Sequence, residues 1–111
     1  MLLFIVTIYN KLVRDLIPDI IKNNGKNETP LVRILDDAEF LKQLNIKLQE
    51  EVNEYLTDQS IDELADIMEV IRSIIQAKKI SFRELEKVRI NKKRSRGGFR
   101  KKLFLESVTK N

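Results

Sequence analysis

Turn-forming residues are scarce in this chain. Three Gly and two Pro punctuate 111 residues, well below the share of roughly 12% in an average protein. A backbone with so few breakers has few places to reverse, so long uninterrupted elements follow. A mainly helical protein is the first expectation. The length allows one domain and leaves little room for a second, so residues 1–111 are read as a single unit. Apolar residues make up 42% of the chain, enough for one core.

The available side chains narrow the chemistry. The chain has no Cys, which removes disulfides, thiolate metal sites and a Cys nucleophile. It has no His either, which removes the commonest general base, the Ser/His/Asp triad and His-ligated zinc. Chemistry on this chain must use carboxylates, Lys, Arg, hydroxyls, amides or a hard metal held by oxygen.

A net charge of +4 hides a split. Residues 1–82 hold 10 Lys/Arg and 14 Asp/Glu, whereas residues 83–111 hold 11 Lys/Arg and 3 Asp/Glu. An acidic body with a basic tail suits a metal–polyphosphate site, with carboxylates for the cation and bases for the phosphates. It also suits a helical module with a nucleic-acid-binding tail. The apolar opening, Met1 to Ile8, is too short for a membrane span of about 20 residues and lacks the basic start and cleavage site of a signal peptide. A soluble, cytoplasmic protein with no membrane partner is expected.

Periodicity organises the rest. Leu2 to Tyr9 is rich in β-branched and aromatic residues and predicts a short strand, as do Leu31 to Leu35 and Leu103 to Val108. Lys11 to Asn24 carries a helical stripe that Pro18 breaks, kinks or restarts. Asp36 or Asp37 can cap a helix running to about Leu56, with its stripe at Leu41, Leu44, Leu48, Val52 and Tyr55. Ser60 with Glu63, and Ser81 with Glu84, are two more capping boxes. They open helices to about Lys78 and Arg94, and Gly97-Gly98 ends the helical part.

The second and third of these long segments carry Glu50, Glu51 and Glu54, then Glu63 and Asp66. A turn over Thr57–Ser60 makes the two helices antiparallel neighbours. Glu54 and Glu63 lie equally far from the turn's centre, and so do Glu51 and Asp66. Four carboxylates then face one another across a groove at the edge of the core. Glu50 points away from its helix's apolar stripe, toward solvent or a supporting position. Like charges so gathered raise one another's pKa, and a hard divalent cation relieves them. Oxygen donors alone suit Mg²⁺, Mn²⁺ or Ca²⁺. Two plainer readings stay open here. Glu63 can simply close the Ser60 capping box, and Glu50, Glu51 and Glu54 can be a solvated helix face.

Leu48-Gln49-Glu50-Glu51-Val52-Asn53-Glu54 followed by Glu63-Leu64-Ala65-Asp66 resembles the EExxE…ExxD pattern of the MazG-like, all-α nucleotide pyrophosphohydrolases. Tyr9-Asn10-Lys11-Leu12-Val13-Arg14-Asp15-Leu16-Ile17-Pro18 is similar to the opening motif of a subfamily related to phosphoribosyl-ATP pyrophosphohydrolase. Arg96-Gly97-Gly98-Phe99 is similar to that subfamily's closing motif. The three blocks together span about residues 9–106. Either acidic motif alone is a common helix-surface pattern; the order of all three is what is specific. Leu16 stands where many relatives carry Lys, a departure that bears on any phosphate contact from there.

The resemblance implies an antiparallel helical bundle of the all-α pyrophosphatase type, completed by a homodimer or higher homo-oligomer. It implies Mg²⁺-dependent cleavage of a nucleotide between its α- and β-phosphates, with Mn²⁺ a possible substitute. The catalytic and metal-ligand positions map onto Glu51, Glu54, Glu63 and Asp66. Lys47, one helical turn before Glu51 on the same flank, is the first candidate for the substrate's phosphates; Lys11, Arg14, Arg96 and Lys93 follow. For each, the plainer reading is an ordinary surface base. Phe82, Phe99 and Phe104 are expected in the core rather than stacked on a base, and Tyr55 belongs to the apolar stripe. Chemistry without His is feasible, because metal ions activate water and clamp phosphate oxygens. The alternative function is a non-catalytic helical module gripping nucleic acid through its basic C-terminal region. Against it, Leu85, Val88 and Ile90 interleave the bases at helical spacing, so no specific nucleic-acid partner is expected.

Overall fold

The computed structural model describes residues 4–111. Its regular structure is helical: α1 (Ile17–Lys22), α2 (Asp37–Asp58), α3 (Ile61–Ala77) and α4 (Phe82–Arg96). Mainly α is therefore the observed class. Among the described residues no helix is long and apolar enough to cross a membrane.

Each long helix starts where an oxygen side chain can take an orphan N–H. Asp36 accepts from the Glu39 N–H at 2.8 Å, Ser60 from Glu63 at 3.4 Å and Ser81 from Glu84 at 3.1 Å. Those bonds satisfy donors that the first turn leaves free. Pro18 falls in the first turn of α1, where its missing N–H costs nothing. It therefore starts a short helix rather than kinking a long one, and residues 7–14 run without regular structure.

α2 ends at Gln59, which adopts the left-handed conformation with φ 53° and donates its N–H to Tyr55 O. Two residues separate α2 from α3, so the helices fold back on each other as a hairpin. This hairpin is the main packing unit. Leu44, Val70 and Ile75 are its buried apolar residues. α4 meets α3 less extensively, partly through the Arg72 guanidinium 4.5 Å over the Phe82 ring, a cation–π contact.

The expected strands do not form among the described residues. Residues 4–9, 31–35 and 103–108 carry no ladder, and Leu2 and Leu3 of the first lie outside those residues. A strand needs a neighbour to take its N–H and C=O groups, and none of the three has one among the described residues. Phe99 and Phe104, expected in the core, are 97% and 88% exposed, because none of the described residues covers them. Phe82 is half-covered by Arg72.

The chain is far from spherical. Its radius of gyration is 20.1 Å and its extents are 80 × 31 × 24 Å, against about 13 Å for a compact domain of this length. Its accessible surface is 10970 Å², about 4,600 Å² more than a compact monomer of this mass exposes.

Two substitutions test this account of the hairpin. Leu44→Ala removes its most buried side chain and should cost about 2–5 kcal/mol. Ser60→Ala removes one cap and should cost about 1 kcal/mol. Urea unfolding followed by circular dichroism measures both, and equal effects would contradict the assigned core.

Candidate functional site

One flank of the hairpin gathers the acidic residues. Carboxylate oxygens of Glu51, Glu63 and Asp66 come within 4.8 Å of one another, and so do those of Glu50, Glu51 and Glu54. The four level-matched carboxylates thus share one groove. The hairpin's centre falls between Gln59 and Ser60, one residue later than the matching of levels assumes. That offsets each pair by two residues, about 3 Å along the helix axes, which the carboxylate side chains span.

Glu51 is the most constrained member. It is 6% exposed, and its Oε2 has no hydrogen-bond partner. Its Oε1 lies 3.4 Å from Lys47 Nζ. Burial raises its pKa first, and the neighbouring Glu54 and Asp66 raise it further, while Lys47 pulls it down. Leaving a buried acceptor unpaired costs on the order of 1–3 kcal/mol. A proton or a cation at that oxygen would relieve the cost.

Glu63 has the same character. Its backbone N–H takes the Ser60 cap, but its Oε2 is buried without a partner. Its carboxyl faces Glu54, and desolvation followed by Glu54 and Asp66 pushes its pKa up. Capping and clustering therefore use different atoms of one residue. Glu54 itself is exposed at the rim.

Cations close the flank. The unstructured segment before α1 lies across it, held by Arg14 Nη2 on Asp66 Oδ1 at 2.7 Å and by Lys11 Nζ on Glu50 Oε1 at 3.3 Å. Lys47 Nζ also lies 3.5 Å from Glu50 Oε1. Glu50, expected toward solvent or in a supporting position, is partly covered and ion-paired, because the N-terminal segment packs on its side of α2. Lys11, Val13, Arg14, Ile17, Lys47, Glu51 and Asp66 line a cavity of about 250 Å³. Acidic and basic groups thus face a common space, which Glu54 and Glu63 do not line.

Val13 and Ile17 are wall residues that sequence reasoning did not single out. Their signal was present, as apolar positions interleaved with Lys11 and Arg14. Lys93 and Arg96 do not line the cavity; Arg96 closes the exposed last turn of α4, before Gly97 at φ 85°. Tyr55 is half-buried on α2 and is not among the lining residues.

The raised pKa values of Glu51 and Glu63 carry a pH signature. A carboxyl whose folded pKa lies above its unfolded value favours folding while protonated. That contribution is full below the ordinary carboxylate range and is lost as pH rises through the raised values. Glu39 and Glu86, held down by Arg33 and Arg89, have the opposite sign, but these are exposed pairs and weak. In a chelator the melting temperature should therefore rise as pH falls from neutrality toward the ordinary carboxylate range. Glu51→Gln should flatten that slope, and an unchanged slope would contradict the assignment. No protein-family model, curated protein or solved structure matches the chain.

Proposed function

We propose that this protein is a Mg²⁺-dependent nucleotide pyrophosphohydrolase, acting on a nucleoside triphosphate or a phosphoribosyl-ATP-like substrate. Water and the triphosphate yield a monophosphate and pyrophosphate by cleavage of the α–β phosphoanhydride. The observation that carries the reading is the buried Glu51 Oε2 without a partner, at the centre of an all-oxygen cluster with Glu54, Glu63 and Asp66. This donor set fits Mg²⁺ or Mn²⁺. The order of the three sequence blocks supports the same reading.

Glu51, Glu54, Glu63 and Asp66 are the residues to hold the cation. A bound Mg²⁺ would supply charge neutralisation and an activated water. A carboxylate of the same set orients the attacking water or takes its proton. Lys47, Lys11 and Arg14, already beside the carboxylates, are placed to take phosphate oxygens. Arg96 belongs to the substrate-binding set through the closing motif alone. The helical bundle is completed, in this reading, by a homodimer or higher homo-oligomer. The exposed basic run Lys92–Arg96 keeps one alternative: a non-catalytic module that binds nucleic acid.

A panel of nucleotides with Mg²⁺, assayed separately for pyrophosphate and orthophosphate, tests the reading. Pyrophosphate with a monophosphate product is expected, and a chelator should abolish it. Orthophosphate with a diphosphate product, or activity that survives excess EDTA, would contradict it. Sub-micromolar binding of a defined DNA or RNA sequence without hydrolysis would favour the alternative.

Substitutions separate the roles. Glu51→Gln, Glu54→Gln, Glu63→Gln and Asp66→Asn should each lower kcat by orders of magnitude while the fold persists. The Mg²⁺-dependent rise in melting temperature should shrink with them. Glu50→Gln should do much less. Arg14→Ala and Lys47→Ala should lower kcat/KM by about tenfold or more, as expected for lost charge-assisted contacts. Near-normal turnover in both Glu51→Gln and Asp66→Asn would end the metal-site reading.

A further inference from the structure

Three cations stand at the acidic groove, and they are tied down to different degrees. Lys47 lies on α2 one turn before Glu51, with Nζ 3.4 Å from Glu51 Oε1 and a side chain only 18% exposed. The helix itself keeps it beside the carboxylates. Lys11 pairs with Glu50, which lies outside the set Glu51, Glu54, Glu63 and Asp66. Arg14 differs from both. It belongs to the irregular segment before α1, its side chain is 57% exposed, and its partner Asp66 is one of the four.

The contact uses little of the guanidinium. Arg14 Nη2 donates to Asp66 Oδ1 at 2.7 Å, and the side chain makes no second hydrogen bond among the described residues. A guanidinium has five donors, and its strong grip on a carboxylate or phosphate is bidentate. A single contact, partly open to water at both ends, is a weak pair. Arg14 and Asp66 line the same cavity as Glu51, so the spare donors stand at the edge of that space. Three residues earlier, the Lys11–Glu50 pair holds the segment to α2. Arg14 can therefore leave Asp66 without leaving the groove. Glu51 Oε2, buried in a residue 6% exposed and without a partner, marks charge that the chain's own cations leave uncompensated.

We infer that Arg14 exchanges partners, resting on Asp66 in the free protein and on a substrate phosphate in the complex. The inference rests on the proposed function, in which Asp66 is a cation ligand and the substrate carries a polyphosphate. Asp66 has one negative charge. What Arg14 neutralises is withheld from a cation, and what a cation neutralises frees Arg14. Phosphate oxygens offer the freed guanidinium the bidentate partner that Asp66 does not. Cation and polyphosphate therefore bind with positive coupling through Arg14, and such coupling is reciprocal. The groove takes the two together more readily than it takes either alone.

Calorimetric titration of the full-length protein tests both directions, with circular dichroism to confirm that each variant keeps its helices. Without phosphate present, Arg14→Gln should tighten Mg²⁺ binding about two- to fivefold, the measure of an exposed ion pair. Lys11→Gln removes an equal charge whose partner is outside the four carboxylates, and should change Mg²⁺ affinity less. Arg14→Lys, which keeps the charge, should fall nearer the wild type than Arg14→Gln does. The other direction needs no metal. In excess EDTA, inorganic pyrophosphate should bind Asp66→Asn more tightly than Glu54→Gln. Each variant removes one carboxylate charge, but only the first frees Arg14. Adding Arg14→Gln to Asp66→Asn should abolish that difference. Unchanged or weaker Mg²⁺ binding in Arg14→Gln, or a gain no larger than that of Lys11→Gln, would overturn the inference. Equal pyrophosphate affinities in the two carboxylate variants would overturn it as well. A wild type that binds no Mg²⁺ would count against the proposed function, and the pyrophosphate comparison would then decide the exchange of Arg14 by itself.

Discussion

The two-residue connection between α2 and α3 is the constraint on which the rest depends. Gln59 turns the chain in the left-handed region and its N–H closes on Tyr55 O. With Ser60 capping the next helix one residue later, no slack remains for one helix to slide along the other. The relative level of every side chain on the hairpin is then fixed by its distance from the turn's centre, between Gln59 and Ser60. Glu51, Glu54, Glu63 and Asp66 meet because the turn is short, and Leu44 is buried in the same hairpin.

Packing and charge oppose each other in this hairpin. Leu44, Val70 and Ile75 draw the helices together, and in doing so they bury Glu51 among other carboxylates. The molecule offsets part of the repulsion with its own cations, Lys47 from within α2 and Arg14 and Lys11 from the N-terminal segment. Glu51 Oε2 and Glu63 Oε2 remain without partners. A site arranged in this way is held in an unfavourable electrostatic state by a favourable apolar one, as is common where function needs charge in a confined space.

Much of the helical layout was legible, for local reasons. Asp36, Ser60 and Ser81 each announce a helix start through a side-chain oxygen that accepts three residues on, and the structure uses all three. The convergence of the acidic residues was legible because two levels matched about one short turn. The errors came from interactions that local pattern does not encode. Leu31, Ile34, Leu103 and Phe104 have the composition of strands, but pairing depends on a partner, and composition cannot say whether one exists. Helical angle left Glu50 between solvent and a supporting position; its contact with Lys11, 39 positions earlier in the chain, is what local pattern could not supply. Lys11 and Arg14 were candidates for phosphate contact from the sequence, but their pairing with Glu50 and Asp66 depends on the N-terminal segment crossing the groove, which local pattern does not encode.

The cavity beside Glu51 has walls of two kinds. On one side stand α2 and α3, joined by apolar packing that added salt strengthens or leaves alone. On the other lies the N-terminal segment, where Lys11 and Arg14 make ion pairs of 3.3 and 2.7 Å to partners that are partly open to water. In 1 M salt the screening length contracts to about 3 Å, comparable with those contacts. Ionic strength therefore acts on one wall and spares the other. The mouth of the groove can loosen in brine while its floor keeps its shape, so access to the carboxylates and their mutual geometry respond to different solution conditions.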